Sequence, residues 1–311
     1  MDKKLLFIDC DPGVDDAAAL LMAAAAPGVQ ILGLSAVAGN VPLERTLPNT
    51  LALAAFMGTE EVPVYAGASG PISGPAITAV HVHGEDGLRG HELPPHNLKA
   101  REETAWDALY REALAHPGEV TLLALGPLTN VAIAFAKHPR LPELLKEVVL
   151  MGGAAAVPGN VSPAAEFNIL ADPAAAEAVF RAGARVVVCP LDVTEKSYLT
   201  PEELEELAGQ GSAQARYFAT VMGETVPWCQ EGYGVNGAIL HDPAALMYVL
   251  QPGLFTGKKC WIGVETQGQV SRGKTVCDAF SDAKKEPNCT LVYDVDRPAF
   301  GRAVLDIMAR S

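Results

Sequence analysis

Short apolar runs, rich in β-branched residues, recur along the chain and are separated by helix-like segments. The runs are KLLFID (4–9), VQILGLSAVAG (29–39), VTLLALG (120–126), EVVLMGG (147–153) and RVVVCPLDV (185–193). Each is close to continuously apolar, the pattern of a parallel strand covered on both faces rather than one with a wet side. Helical patterns follow over 15–26, 42–57, 128–137, 172–182 and 201–208. Strand–helix alternation of this kind predicts an α/β fold with a doubly wound, mainly parallel, Rossmann-like sheet. After about residue 255 the rhythm changes. CWIGVET, GKTVCDAF and CTLVYDVD read as successive short strands, an antiparallel addition, and residues 297–310 as a closing helix. No linker, repeat or low-complexity tract beyond the alanines interrupts the chain, so residues 1–311 are expected to form a single domain.

In an open parallel sheet, ligands bind outside the carboxyl ends of the strands. The residues after each run are therefore the ones to inspect. Asp9, Asp11, Asp15 and Asp16 follow the first run, Asn40 the second, and Thr129 and Asn130 the third. Asn160, Glu166, Phe167 and Asn168 lie in the loop after the fourth, Asp192 follows the fifth, and His241 and Asp242 precede a late helix. Two stretches lack periodicity: 67–95, rich in Gly, Pro and His, and 224–237, ETVPWCQEGYGVNG. Irregular segments of that length commonly carry function.

The four N-terminal aspartates have nothing basic among them. Carboxylates so close raise one another's pKa and destabilise the fold unless something positive sits between them. Carboxylate, amide and carbonyl oxygens are the donors of a hard divalent cation, Ca²⁺ or Mg²⁺. Two carboxylates of the first loop plus Asp242 would supply its negative shell. The spacing is not that of an EF-hand, because Gly13 falls at position five counted from Asp9 instead of six. Helix capping alone uses one carboxylate, not four.

Composition excludes some partners. The formal net charge is −14, and the longest basic clusters are pairs such as Lys3-Lys4 and Lys284-Lys285. Nucleic-acid binding needs a basic footprint, and none is present in the sequence. Pro27 and Gly28 close the alanine run, so no apolar stretch reaches bilayer length and no membrane partner is expected. The N-terminus carries no long h-region, and the cysteines are scattered without a C-x-x-C pair. Free thiols in a cytoplasmic protein are the expectation.

Asp9-Cys10-Asp11-Pro12-Gly13-Val14-Asp15-Asp16 resembles the D-T-D-P-G-x-D-D signature of the nucleoside hydrolases, the inosine–uridine type of N-ribohydrolase. Cys10 stands where threonine is usual. AGN (38–40), HGEDGL (83–88), LALGPLTN (123–130), MGG (151–153), EFN (166–168) and HDP (241–243) extend the resemblance in order along the chain. It implies Ca²⁺-dependent hydrolysis of the N-glycosidic bond of ribonucleosides to ribose and free base. Asp11 would be both ligand and general base, activating a metal-bound water, with Asp16, Asp242 and the Leu125 carbonyl completing the protein's share of the ion shell. Asp15, Asn40, Asn160, Glu166 and Asn168 would bind ribose hydroxyls, with Met151 against the sugar. His241 would protonate the leaving base, which His83 and Phe167 would approach, with His81 as an accessory; the irregularity of 224–237 adds Trp228 and Tyr233 as expected base contacts. A homotetramer or homodimer is implied as well.

Two rival readings are carried forward. Asp9-Cys10-Asp11 satisfies the D-x-D of haloacid-dehalogenase-type phosphatases with Asp9 as nucleophile, although Pro12-Gly13-Val14 follows where a small hydroxyl residue is needed. The other rival is a calcium-dependent nucleoside or sugar binder without turnover.

Overall fold

The computed structural model describes residues 3–279 and 285–311. Phe280, the end of the run GKTVCDAF, and Lys284 of the Lys284-Lys285 pair lie outside the described residues, as do Met1 and Asp2.

The strands are β1 (Lys4–Cys10), β2 (Val29–Ala36), β3 (Val64–Ala66), β4 (Val120–Ala124), β5 (Glu147–Met151), β6 (Val186–Cys189), β7 (Tyr198–Leu199), β8 (Ala238–Ile239), β9 (Phe255–Cys260), β10 (Ile262–Val264), β11 (Thr275–Cys277) and β12 (Cys289–Val295). Eight of them form one sheet in the order β3-β2-β1-β4-β5-β6-β12-β9. The first six are parallel and run 3-2-1-4-5-6, the doubly wound order, with the order of strand addition reversing between β1 and β4.

The near-continuous apolar runs have the expected cause. Along β1, Leu6, Ile8 and Cys10 pack into one apolar layer and Leu5 and Phe7 into the other. In β5, Val149 and Met151 join the first layer and Val148 and Leu150 the second. Helices Val14–Ala25, Ala213–Gly223, His241–Leu250 and Arg297–Met308 cover the first face; Ala105–Ala115, Thr129–Lys137 and Pro173–Arg181 cover the second. The alanine run serves the first layer. Ala17, Ala18, Ala19 and Ala23 are buried in helix Val14–Ala25, combining high helix propensity with side chains small enough for close approach to helix His241–Leu250.

The C-terminal strands form the expected antiparallel addition, with one difference: CTLVYDVD forms β12, which pairs antiparallel with β9 but also parallel with β6, and so extends the main sheet. The antiparallel edge strand is β9, FTGKKC, whose two lysines and lack of apolar alternation hid it from pattern reading. CWIGVET and GKTVCDAF contribute β10 and β11, a separate antiparallel pair. Segment 224–237 also departs from expectation, since most of it is helix Val226–Tyr233, entered through a proline in its first turn and ended by Gly234 in the left-handed region, φ 68°. Segment 67–95 holds only the short helix Val80–His83. Among the described residues, no helix is long and apolar enough to cross a membrane.

Candidate active site

The polar residues gather at the carboxyl ends of β1, β2, β4 and β5, around the reversal between β1 and β4. Asp11, just past β1, is fixed from two sides. Its Oδ2 accepts the Asn40 main-chain N–H at 2.7 Å, and its own N–H donates to Asp16 Oδ1 at 3.1 Å. A Cβ at Gly39 would stand 2.0 Å from Asp11 Oδ2, and one at Gly126 2.5 Å from Oδ1. Glycine in the AGN and LGP segments is thus a requirement of space: the carboxylate fills the gap that two absent side chains leave.

Asp16 accepts from Gly13 N at 3.0 Å and from Asn40 Nδ2 at 3.1 Å through Oδ2. It sits in the first turn of helix Val14–Ala25, where free N–H groups and the helix dipole favour a carboxylate. Asp242 lies in the first turn of helix His241–Leu250; the N-cap is Leu240, so Asp242 is not itself the cap. Ligand oxygens of Asp15, Asp16 and Asp242 lie within 4.8 Å of one another, the only such grouping of metal-ligating side chains among the described residues. Asp11 is outside that grouping but tied to Asp16 through the bonds just described. Asp11 Oδ1 and Asp15 Oδ1 are buried without a hydrogen-bond partner among the described residues.

Burial, and after it the neighbouring carboxylates, push Asp11 and Asp242 well above the usual carboxylate range; burial pushes Asp15 and Asp16 up too. Lone carboxylates in this position would hold protons instead of charge. Hard oxygen donors, unpartnered buried oxygens and concentrated negative charge fit a divalent cation of calcium's type.

A cleft of about 680 Å³ opens beside the acidic group, and Asp15 belongs to both. His81, His83, Asn160, Phe167, Trp228 and His241 also line it, with Met222 and Ile239 adding apolar wall. Asn160 Oδ1 accepts the Phe167 N–H at 3.0 Å. Trp228 packs edge-on against Tyr233, ring centroids 5.2 Å apart. His83 Nδ1 accepts the Val14 N–H at 3.2 Å, which leaves Nε2 carrying the proton of the neutral ring. Burial holds His83 down to about 4, and burial with His83 nearby does the same to His241.

Other sequence candidates form the support beneath the cleft. The Asn168 side-chain amide donates to the Leu125 carbonyl at 2.7 Å, to the Met151 carbonyl at 3.2 Å and to Met151 Sδ at 3.4 Å. Met151 itself is part of the apolar core. Glu166 caps helix Phe167–Ala171: Oε1 accepts from Asn168 N at 2.9 Å, Oε2 from Gly153 N at 2.8 Å and Ile169 N at 3.2 Å. Those main-chain donors satisfy a buried carboxylate without any cation.

Asp9 faces elsewhere. It is 1% exposed and borders a small cavity with Phe7, Leu122 and Leu109 in the second apolar layer. Its Oδ1 accepts from Ser35 Oγ and, at 2.7 Å, from Asn130 Nδ2, and burial raises it to about 7.

Sequence reading missed two residues. Thr194 Oγ1 lies 2.8 Å from His241 Nδ1, a partnership across 47 positions that no local pattern announces. Arg89 lines the cleft with φ 54°, the one non-glycine residue at positive φ among the described residues. Its Nε donates to the Val82 carbonyl at 2.7 Å and its Nη1 to the Glu224 carbonyl at 3.3 Å, clasping the two irregular segments together. The flanking glycines in DGLRG were the available hint of unusual backbone.

Comparison with known proteins agrees with this geometry. A model of the inosine-uridine preferring nucleoside hydrolases matches residues 6–302. The pyrimidine-specific ribonucleoside hydrolase RihA of Klebsiella pneumoniae (strain 342) is 40% identical over 306 residues, covering 98% of this chain and 97% of that relative. RihA of Shewanella woodyi is 37% identical over 307 residues, with the same coverage. Among solved structures, a plant nucleoside hydrolase superposes with a TM-score of 0.92 at 31% identity, covering 98% of this chain and 99% of that one. A purine-preferring ribonucleoside hydrolase from Gardnerella vaginalis gives 0.91 at 30%, with 98% of each chain covered. The phosphatase reading falls, because Asp9 is enclosed on the wrong face of the sheet and the match runs through the whole parallel core. The chain belongs to the inosine-uridine preferring nucleoside hydrolase family.

Proposed function

We propose that this protein is a calcium-dependent nucleosidase that cleaves ribonucleosides to ribose and free base, with pyrimidine nucleosides preferred. One observation carries the reading: Asp15 is shared between a cation-type acidic group and a cleft walled by aromatic and imidazole rings. A ribose placed at Asp15 has its diol toward the acidic group and its base toward Phe167, Trp228 and His241. The pyrimidine preference rests on the RihA relatives, which are nearer in sequence than the purine-preferring structure at 30% identity.

Asp11, Asp16, Asp242 and the Leu125 carbonyl would hold the cation, which supplies a lowered proton affinity for the attacking water. Asp11 takes the proton, its unpartnered Oδ1 being the free acceptor and its burial raising its basicity. Asp15, Asn40, Asn160, Glu166 and Asn168 orient the ribose, and Met151 lies beneath it. Glycosidic cleavage builds positive charge on the sugar, and buried carboxylates nearby stabilise that charge as it forms. His241 protonates the departing base. Its imidazole is neutral at rest; negative charge growing on the base raises the ring's proton affinity, so the ring takes a proton from solvent and passes it from Nε2 to the base, ending neutral again. His83 and Tyr233 contact the base from the side, with His81 at the rim.

The test is a turnover panel of cytidine, uridine, inosine and adenosine, with and without chelator, scored for free ribose and base. Release from cytidine and uridine that stops on chelation and returns with calcium is expected. Nucleoside recovered intact after long incubation would establish a binder instead. The same reading extends to one domain acting as a homotetramer or homodimer in the cytoplasm, for which light scattering of the purified protein is the first check.

A further inference from the structure

Away from the cleft, three sulfurs meet at the edge of the sheet. Cys260 ends β9 and pairs directly with Cys289 at the start of β12 in the antiparallel ladder. Their Sγ atoms are 3.8 Å apart. Cys277, at the end of β11, places its Sγ 3.4 Å from Cys260 Sγ. Cys260 and Cys289 are buried, while Cys277 keeps part of its surface in solvent. The three do not make a compact metal site, since the acidic group is the only metal-type grouping among the described residues. One central thiol in reach of two others is instead the arrangement for making and exchanging a disulfide.

We propose that Cys260 and Cys277 form a reversible disulfide when the protein meets a peroxide, with Cys289 as the exchanging thiol. Hydrogen peroxide oxidises the accessible Cys277 thiol to sulfenic acid and is itself reduced, leaving one water. Cys260 sulfur then attacks Cys277 sulfur; the S–S bond forms and the sulfenic oxygen departs with the Cys260 proton as a second water. Two thiols and one peroxide thus become one disulfide and two waters. Cys289 thiolate can next attack Cys260 sulfur, which transfers the bond to the Cys260–Cys289 pair and returns Cys277 to a thiol. The sulfurs start only 3.4 and 3.8 Å apart, so each bond closes over a short distance.

The cross-link fastens the β10–β11 pair to the main sheet. That pair braces the segment under the cleft: Lys274 Nζ donates to the Ala154 carbonyl at 2.8 Å and Arg272 Nη1 to the Leu170 carbonyl at 3.2 Å. A bond across this region removes freedom from the unfolded chain and raises the unfolding temperature.

Purified protein is treated with hydrogen peroxide, denatured and titrated for thiols, then digested without reductant for a peptide map. The expected result is a fall from six thiols to four. A peptide joining Cys260 to Cys277 or to Cys289 should appear, together with a higher melting midpoint, all reversed by dithiothreitol. Cys289→Ser should retain the Cys260–Cys277 link, and Cys260→Ser should lose every link among the three. Six remaining thiols, sulfinic acid on Cys277 without a cross-link, or a bond that forms only between molecules would overturn the proposal. Should a variant fail to fold, the wild-type map alone decides.

Discussion

Thr194 and His241 share a hydrogen bond of 2.8 Å between Oγ1 and Nδ1, with Thr194 wholly buried and His241 turned to the cleft. A hydroxyl held behind the ring fixes its orientation and leaves Nε2 for the leaving base. Thr194→Val keeps the shape and removes the bond. Turnover of cytidine or uridine should fall about 10-fold, the equivalent of one lost hydrogen bond. A p-nitrophenyl riboside, whose leaving group needs no proton, should be cleaved at nearly the wild-type rate. Equal losses on both substrates would remove His241 from the proton path.

Asp242 shares the acidic group with Asp15 and Asp16, and after burial those two carboxylates raise it most. Asp242→Asn replaces a repelling carboxylate by an amide that can donate to Asp16. The metal-free variant should melt above metal-free wild type, because asparagine is neutral in the folded state without taking up a proton. Calcium should raise the melting midpoint of wild type by mass action and leave the variant unmoved. Hydrolysis by the variant should be lost. A destabilised metal-free variant would contradict the charge argument.

Arg89 carries a backbone conformation that L side chains rarely adopt in order to join Val82 to Glu224. Arg89→Ala should loosen the cleft mouth and raise KM about 3- to 10-fold with kcat little changed, the pattern of lost uniform binding. Arg89→Gly should show the same KM and a higher melting midpoint than the alanine variant, because glycine takes φ 54° without strain. A fall in kcat at constant KM would instead place Arg89 in the chemistry.

Glu195 follows Thr194 half-buried, and burial, with Asp192 adding to it, raises its carboxyl to about 7. The folded state therefore binds this proton more tightly than the unfolded chain does. The resulting stability is present in full below about 4.5 and is lost as pH rises through about 7. Partial exposure screens the effect, so it should be modest. Glu195→Gln cannot titrate, and its melting midpoint should match wild type at pH 5 and exceed it at pH 8, to be checked by paired denaturation curves. Parallel pH profiles would refute the assignment.

The parallel half of the fold was legible because both faces of each strand are covered, which turns burial into an unbroken apolar run that sequence displays. Helix ends were legible for a related reason: Asp172 and Thr200 cap helices by accepting from Ala175 N and Glu203 N, and such residues announce their role. β9 was illegible since an edge strand with solvent-facing lysines has no periodicity to show. β12 betrayed its residues but not its partner, because pairing direction depends on where the chain returns. At the site, the acidic group was visible as unexplained charge. Thr194 was not, because threonine signals nothing until it meets His241. Glu166 teaches the converse, for the motif that points to sugar binding also describes a helix cap held by three main-chain donors.

The placement of β12 beside β6 has a consequence for biosynthesis. During translation the interior strand β6 waits, with one flank bare, until residues 289–295 have emerged. An unprotected rim of valines is an invitation to intermolecular pairing. Ribosomes that stall shortly before that point should yield polypeptides that clump or recruit chaperones, and β9, arriving just ahead of its neighbour, can shield the rim only after β12 has docked.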